Sequence, residues 1–398
     1  MSRKFKSFFY IFLFQLIGVS LMFLYTIDEP NSYKIIYAFS LILLVGLVNF
    51  YLNKKLIGYN MFYTLVTMLF SIGVLEIFRL SPTYGIKQMF WYAVGVVLMY
   101  IAYIMIKSTN FHEKWYLIYV GLIYFFLLYT FVFGEYKYGA KNWISIFGHL
   151  FQPSEFIKLL FIIQLASFRK SDKFTITKYK LINEFIAFTY IGFLFLQRDL
   201  GSAFIIFAIL MMYLYFFEED RRYFWYTFIV FMAFFFLGLL IFNHVKLRFK
   251  VWLNPFKYAN NEGYQITTGL VAMANGGLFG TGVGLGIPNI IPVNVSDMIL
   301  AAIFEEMGGL MVVAIIIIYL IFLAYGLKLS TMQNDIYYKT ISVLATTTIV
   351  IQFFVILCGN LNLMPLTGIT APFISYGGSS MLSSFLMIGV LQASLKKN

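Results

Sequence analysis

Apolar runs separated by short polar breaks repeat along the 398 residues, at a spacing that suits long helices. Five runs come first, near 8–26, 34–52, 60–78, 88–106 and 115–133, with Glu76 the one charge well inside them. A second group lies near 153–168, 182–197, 201–217 and 223–243, and a third near 298–326, 337–358 and 371–394. A helix of about 20 residues crosses a hydrocarbon core of roughly 30 Å, so the pattern predicts an all-α polytopic membrane protein with about twelve transmembrane helices. Between the second and third groups runs a large connection near 244–297. Most links are about 4–6 residues long, so this one is expected to have a function. With no soluble segment and no strong internal repeat, residues 1–398 read as a single membrane-embedded domain.

Composition and charge sharpen this picture. Hydrophobic residues make up 61% of the chain and charged ones only 12%, against about 25% charged in a soluble domain. An even number of spans puts both termini on one side. Placing them in the cytoplasm also places most of the 29 basic residues there, including Arg169, Lys170, Lys173, Lys178 and Lys180 in one loop. The net charge of +12 therefore reflects topology and contact with anionic lipid, not nucleic acid. The basic N-terminus precedes an apolar run about twice the core of a signal peptide, with no A-x-A site, and reads as a retained first span. Cys358 is the sole cysteine, which leaves no disulfide framework or cysteine metal site. His112, His149 and His244 are too scattered to form a ligand motif.

This topology makes 134–152, 198–200, 244–297 and 359–370 extracytoplasmic, so any chemistry is expected to face outward. In GAKNWISIFGHLFQPSEFIKL an amphipathic outer segment runs into a helix with Pro153 in its first turn. Glu155 and Lys158, three apart, share a helix face. They are either a helix-end ion pair near a Trp143 interface anchor, or an acid holding a lysine toward a phosphate-bearing ligand. In LQRDLGSAF, Asp199 is placed to cap the next helix. Lys246, Arg248 and Lys250 alternate with apolar residues, and an extended chain would put all three on one face. That face would suit a pyrophosphate or lipid headgroups.

The glycines at 276, 277, 280, 282, 284 and 286 are not a nucleotide loop, because no Gly-Lys-Ser/Thr follows and their spacing does not fit G-x-G-x-x-G. They are expected to allow tight turns or close approach to a ligand. Ser296 or Asp297 would make a good N-cap for the helix that follows. Capping does not explain Glu305 and Glu306, about 12 Å further along that helix at ~1.5 Å per residue. Carboxylates at such a position need partners or a wet cavity, so the helix is expected to border a polar cleft open to the outside.

Taken together, GAKNWISIFGHLFQPSEFIKL, RDLGS, RFKVWLNP with GYQ, GGLFGTGVGLG, SDMILAAIFEEMG and PLTGITAPFISYGGSS resemble the SEDS family (shape, elongation, division and sporulation), which includes RodA, FtsW and SpoVE. The six stretches run in the family's order from about residue 139 to the C-terminus. The resemblance implies a peptidoglycan glycosyltransferase that polymerises lipid II at the outer face of the bacterial cytoplasmic membrane, with undecaprenyl-diphosphate-linked glycan as donor. A class B penicillin-binding protein would be its transpeptidase partner. It implies that Asp297 is the essential carboxylate, that Glu155 and Lys158 occupy the family's P-S-E-x-x-K positions, and that Arg248 is its loop arginine. Lys158, Arg248 and Lys250 are the substrate and pyrophosphate candidates; Asp199, Glu155, Glu305, Glu306 and Ser375 are supporting residues. A divalent cation, Mg or Mn, is the only cofactor expected. The family usually has ten spans, so 1–133 would supply two additional N-terminal ones and 134–398 the catalytic core. Ser296, Met298, Val293 and Arg198 replace family residues beside these motifs. Two other readings remain open on the residues: a flippase or transporter for lipid-linked precursor built around Glu305 and Glu306, and a non-catalytic scaffold for a cell-wall transpeptidase.

Overall fold

The computed structural model describes residues 3–25, 45, 46, 48, 60–108, 114–137, 139–146 and 148–395. Its helices are α1 (Arg3–Tyr25), α2 (Asn60–Leu80), α3 (Pro82–Ser108), α4 (Tyr116–Phe133), α5 (Pro153–Lys170), α6 (Thr177–Leu196), α7 (Leu200–Phe217), α8 (Arg221–Ile241), α9 (Asn243–Leu253), α10 (Tyr264–Gly276), α11 (Ile299–Thr331), α12 (Ile336–Asn360) and α13 (Gly378–Ser394). Eight of these, α2, α3, α4, α6, α7, α8, α11 and α12, are long and apolar enough to cross a membrane among the described residues. The expected span at 34–52 lies outside the described residues apart from 45, 46 and 48, and so does His112. The helix α5 carries Glu155, Lys158, Arg169 and Lys170 within its 18 residues and is buried along most of its length. It packs as a polar-ended core helix.

Burial separates the spans into two kinds. The most apolar windows of α2 and α12 are 83% buried, whereas that of α8 is 17% buried, so α2 and α12 form the centre and α8 faces lipid. The α12 core is built with small and polar side chains: Thr340, Ser342, Thr346, Thr348 and Gln352 are all buried. Small residues let helix backbones approach closely where the surroundings offer no hydrophobic driving force, and Gly326 of α11 sits against Thr346 in this way.

One expectation for the outer connections, the extended basic stretch, is corrected, and the others gain local form. The segment before α5 is an antiparallel meander, β1 (Glu135–Lys137), β2 (Ala140–Ile146) and β3 (His149–Phe151), with turns at Gly139 and Gly148. Glu135 pairs with Trp143 and Ile144 with Phe151, so the backbone groups of a segment too short to span are satisfied locally. The basic stretch 246–250 is helical, inside α9, not extended. Within 244–297 a second helix, α10, covers Tyr264–Gly276, and of the six glycines at 276–286 only Gly276 is helical.

Candidate active site

Asp297 lies in the last turn before α11. Val293 adopts φ 54, a conformation a β-branched residue rarely takes, and its carbonyl accepts from Ser296 N at 3.2 Å and Met298 N at 3.3 Å. That turn brings the Ser296 hydroxyl to Asp297 Oδ1 at 3.0 Å. The turn is held from below by Ser375, whose hydroxyl donates to Ser296 O at 2.7 Å, and by Tyr376, whose N–H donates to Val295 O at 2.8 Å. Gly368 faces the other carboxylate oxygen, and a Cβ there would stand 3.6 Å from Asp297 Oδ2. Burial pushes the Asp297 carboxyl up to about 6, against the downward pull of the Ser296 hydrogen bond and the Arg248 charge.

Neither Ser296 nor Asp297 caps α11, as the sequence suggested one of them would. The residue at the cap position is Met298, without a side-chain bond. The N–H of Ala301 donates to Met298 O at 3.0 Å and is shared with Asn360 Oδ1 at 3.3 Å, from the end of α12, while Asn360 Nδ2 donates to Asp297 O at 2.7 Å.

Arg248 approaches from α9. At about 100° per residue, positions 246 and 250 share one helix face and 248 points the opposite way. Lys246 and Lys250 are accordingly exposed, whereas Arg248 turns inward and donates through Nη1 to Leu366 O at 3.0 Å. Burial draws its guanidinium below the usual range, and the charges of Asp199 and Asp297 oppose that. The expected common basic face is thus replaced by a single inward arginine beside the carboxylate. His244, on the same helix, is held below its usual value by burial and by Arg198 and Arg248.

Glu155 and Lys158 form the expected pair, at 2.8 Å, but deep inside the bundle. Lys158 is 2% exposed, and its Nζ also donates to Gln352 Oε1 at 2.8 Å. Glu155 Oε2 accepts from Ser383 at 2.8 Å. In this conformation the Lys158 ammonium is buried and turned to two protein acceptors, Glu155 and Gln352. Gln352 Nε2 donates onward to Thr370 O at 3.0 Å, which ties the pair to the loop carrying Ser375. Asp199 does cap α7, accepting from Ser202 N at 3.1 Å. Its other oxygen gathers Asn142 at 2.8 Å, Ser154 at 2.9 Å and Gln152 at 3.2 Å, so it also fastens β2 to α5.

Glu305 and Glu306 do not line an open cleft. The first side chain of α11 exposed to the outside of the bundle is Leu310, and both glutamates lie above it, roofed by the glycine-rich segment. Gly308, at φ 84 and ψ 167, breaks the helix there. The carbonyls freed by the break accept from Thr281 N at 2.8 Å and Gly282 N at 3.0 Å. Gly309 N and Leu310 N donate back to Gly277 O and Leu278 O, at 3.0 and 3.1 Å. The side chains reinforce this seam: Glu306 Oε2 accepts from Gly284 N at 3.0 Å, Glu305 Oε1 from Ile287 N at 3.3 Å, and Glu306 meets Arg79 of α2 at 3.2 Å. The glycines therefore admit a close approach of backbone to backbone, not to a nucleotide.

Arg79, Gln352, Asn360 and Ser383 were missed in the sequence. Arg79 had a signal, three residues after Glu76, and Gln352 and Asn360 had another, as polar residues toward the outer end of an apolar run. Among the described residues no group of three or more His, Cys, Asp or Glu is arranged to hold a metal ion, so the protein groups around Asp297 do not by themselves make a metal cage.

A polytopic helical bundle with a partly buried carboxylate within electrostatic reach of one arginine is the class these features define. A family profile for FtsW, RodA and SpoVE, described as "Cell cycle protein", matches residues 55–398, and the chain belongs to that family. The match begins well before residue 139, where the recognisable motifs start. The chain is 33% identical over 269 residues to the peptidoglycan glycosyltransferase RodA of Mycobacterium tuberculosis, covering 64% of this chain and 57% of that protein. It is 26% identical over 343 residues to the stage V sporulation protein E of Bacillus subtilis, covering 81% and 93%. In structure it resembles a chain described under "Structural coordination of polymerization and crosslinking by a peptidoglycan synthase complex", with a TM-score of 0.70, 19% identity and coverage of 85% and 98%. The rod shape determining protein RodA of Thermus thermophilus gives a TM-score of 0.57 at 19% identity, over 85% and 97%. At these identities the two structures establish a shared fold.

Proposed function

We propose that the chain is an inverting peptidoglycan glycosyltransferase that polymerises lipid II at the outer face of the bacterial cytoplasmic membrane. The observation that carries this reading is Asp297, a carboxyl pushed up to about 6 on an outward loop, with the Arg248 guanidinium beside it. A base poised near neutral pH can take the proton from the 4-hydroxyl of the acceptor sugar as that oxygen attacks the anomeric carbon of the lipid-linked donor. The diphosphate then leaves with growing negative charge, and a preplaced guanidinium is suited to stabilise it. Exposed Lys246 and Lys250 face outward where lipid phosphates lie. Lys158, engaged with Glu155 and Gln352, supports the loop behind the site. A divalent cation would enter with the diphosphate, and no step is assigned to it.

Membership of the family and the names of its curated relatives support this activity. The likeness to a complex that couples polymerisation to crosslinking supports a class B penicillin-binding protein as partner. The reading keeps twelve spans with both termini cytoplasmic, two N-terminal ones within 1–133 beyond a ten-helix core. A transporter built around Glu305 and Glu306 is disfavoured because both glutamates are engaged by the glycine seam.

The deciding experiment is polymerisation of lipid II by the purified chain and by Asp297→Asn. A base contributes roughly 10² to 10⁴-fold, so the variant should lose polymer almost completely while remaining folded. Normal polymer from it would sink the assignment.

A further inference from the structure

The segment that closes α12, residues 360–366, touches both halves of the site. Asn360, 1% exposed, donates to Asp297 O at 2.7 Å and to Ile356 O at 3.0 Å, and accepts from Ala301 N at 3.3 Å. One carboxamide thus fixes the backbone of the acid and the first turn of the helix behind it. Two residues on, Asn362 makes a reciprocal pair with Trp252 of α9: Trp252 Nε1 donates to Asn362 O at 3.0 Å, and Asn362 Nδ2 donates to Trp252 O at 3.2 Å. Trp252 lies one helical turn beyond Arg248, and Arg248 itself donates to Leu366 O in the same segment. Asn362 sits at φ 55, a left-handed conformation that asparagine tolerates better than most side chains.

We infer that Asn360 and Asn362 are positioning residues that form a clamp, Asn360 fixing Asp297 and Asn362 fixing the helix that carries Arg248, so that the two are held at a working separation. The inference rests on the assignment of Asp297 as base and Arg248 as the diphosphate cation. Asp297 stands on the loop before α11 and Arg248 on the short helix α9, and the segment 360–366 hydrogen-bonds to both elements. A shift of about 1 Å at a reacting group can cost on the order of 10²-fold in rate, which gives such a clamp catalytic weight without contact to substrate.

Purified full-length chain, with lipid II as probe, tests this through three variants. Asn360→Asp can still accept from Ala301 N but no longer donates to Asp297 O, and it brings a like charge near the acid. It is expected to lower kcat by about tenfold or more, with KM changed far less, and to move the acid limb of the kcat profile to higher pH. Asn362→Gly keeps a backbone suited to φ 55 and the carbonyl that Trp252 Nε1 reaches, and loses the side-chain bond to Trp252 O. It should lower kcat, and adding Arg248→Lys to it should cost less than the same change in the parent. Asp297→Asn runs in parallel. Parental kcat and acid limb in both folded asparagine variants, with Asp297→Asn inactive, overturn the clamp alone. Polymer from Asp297→Asn overturns the base assignment and the clamp with it. Should Asn360→Asp fail to fold, the non-additivity between Asn362→Gly and Arg248→Lys decides, and strict additivity overturns the clamp.

Discussion

The Ser296 hydroxyl donates to Asp297 Oδ1 across 3.0 Å, and it is the neighbour that most offsets the cost of holding that carboxylate out of water. Because the base must be ionised to act, kcat/KM should rise as pH passes through about 6 and level off above it. Ser296→Ala removes a bond to the charged form, so the acid limb should move to higher pH, read from initial polymerisation rates across buffers.

The same carboxyl gives a stability prediction of opposite sign to its value in catalysis. Its pKa in the fold lies above that of an unfolded aspartate, so its contribution favours the fold at low pH and is lost as pH rises through about 6. Asp297→Asn should therefore raise the melting temperature in detergent at neutral pH, and the gain should vanish on acidification below that value. An unchanged melting curve at neutral pH would contradict the burial of the charge.

Lys158 and Glu155 form a charge pair buried to 2% and 3% exposure. Removing one partner leaves the other uncompensated, at a cost of about 3–5 kcal/mol. Lys158→Met alone and Glu155→Leu alone should each melt early, and the double substitution should recover most of the loss. Equal additive losses in a double-mutant cycle would show that the pair is not coupled.

Gly308 combines φ 84 with ψ 167, a region essentially closed to residues with a Cβ. A Cβ there would also collide with the carbonyl of Leu278. Gly308→Ala should lower stability by about 1–3 kcal/mol from backbone strain alone and loosen the glycine seam. Gly192→Ala in α6, where no atom lies near the new methyl, is the matched control and should be tolerated.

The helical spans were legible because apolar period and length are local properties of the chain. Asp199 as the cap of α7 and the three-residue Glu155–Lys158 pair were legible for the same reason. The basic stretch 246–250 was misread because alternation in five residues suits a strand, while the helical choice is made over the whole of α9. Once α9 is helical, Arg248 parts from Lys246 and Lys250, and only one of the three turns toward Asp297.

The sequence by itself determined a polytopic helical protein, its likeness to one family, and the placing of Asp297 just ahead of a helix. Tertiary structure alone decided what surrounds that acid. Asn360 stands 63 residues from Asp297 and Leu366 stands 118 from Arg248, and no local period brings such pairs together. The break at Gly308 likewise leaves backbone carbonyls that only a segment returning from Gly276–Gly286 can satisfy. Buried polar groups must find partners wherever the packed chain supplies them, so the identity of those partners is settled by the fold.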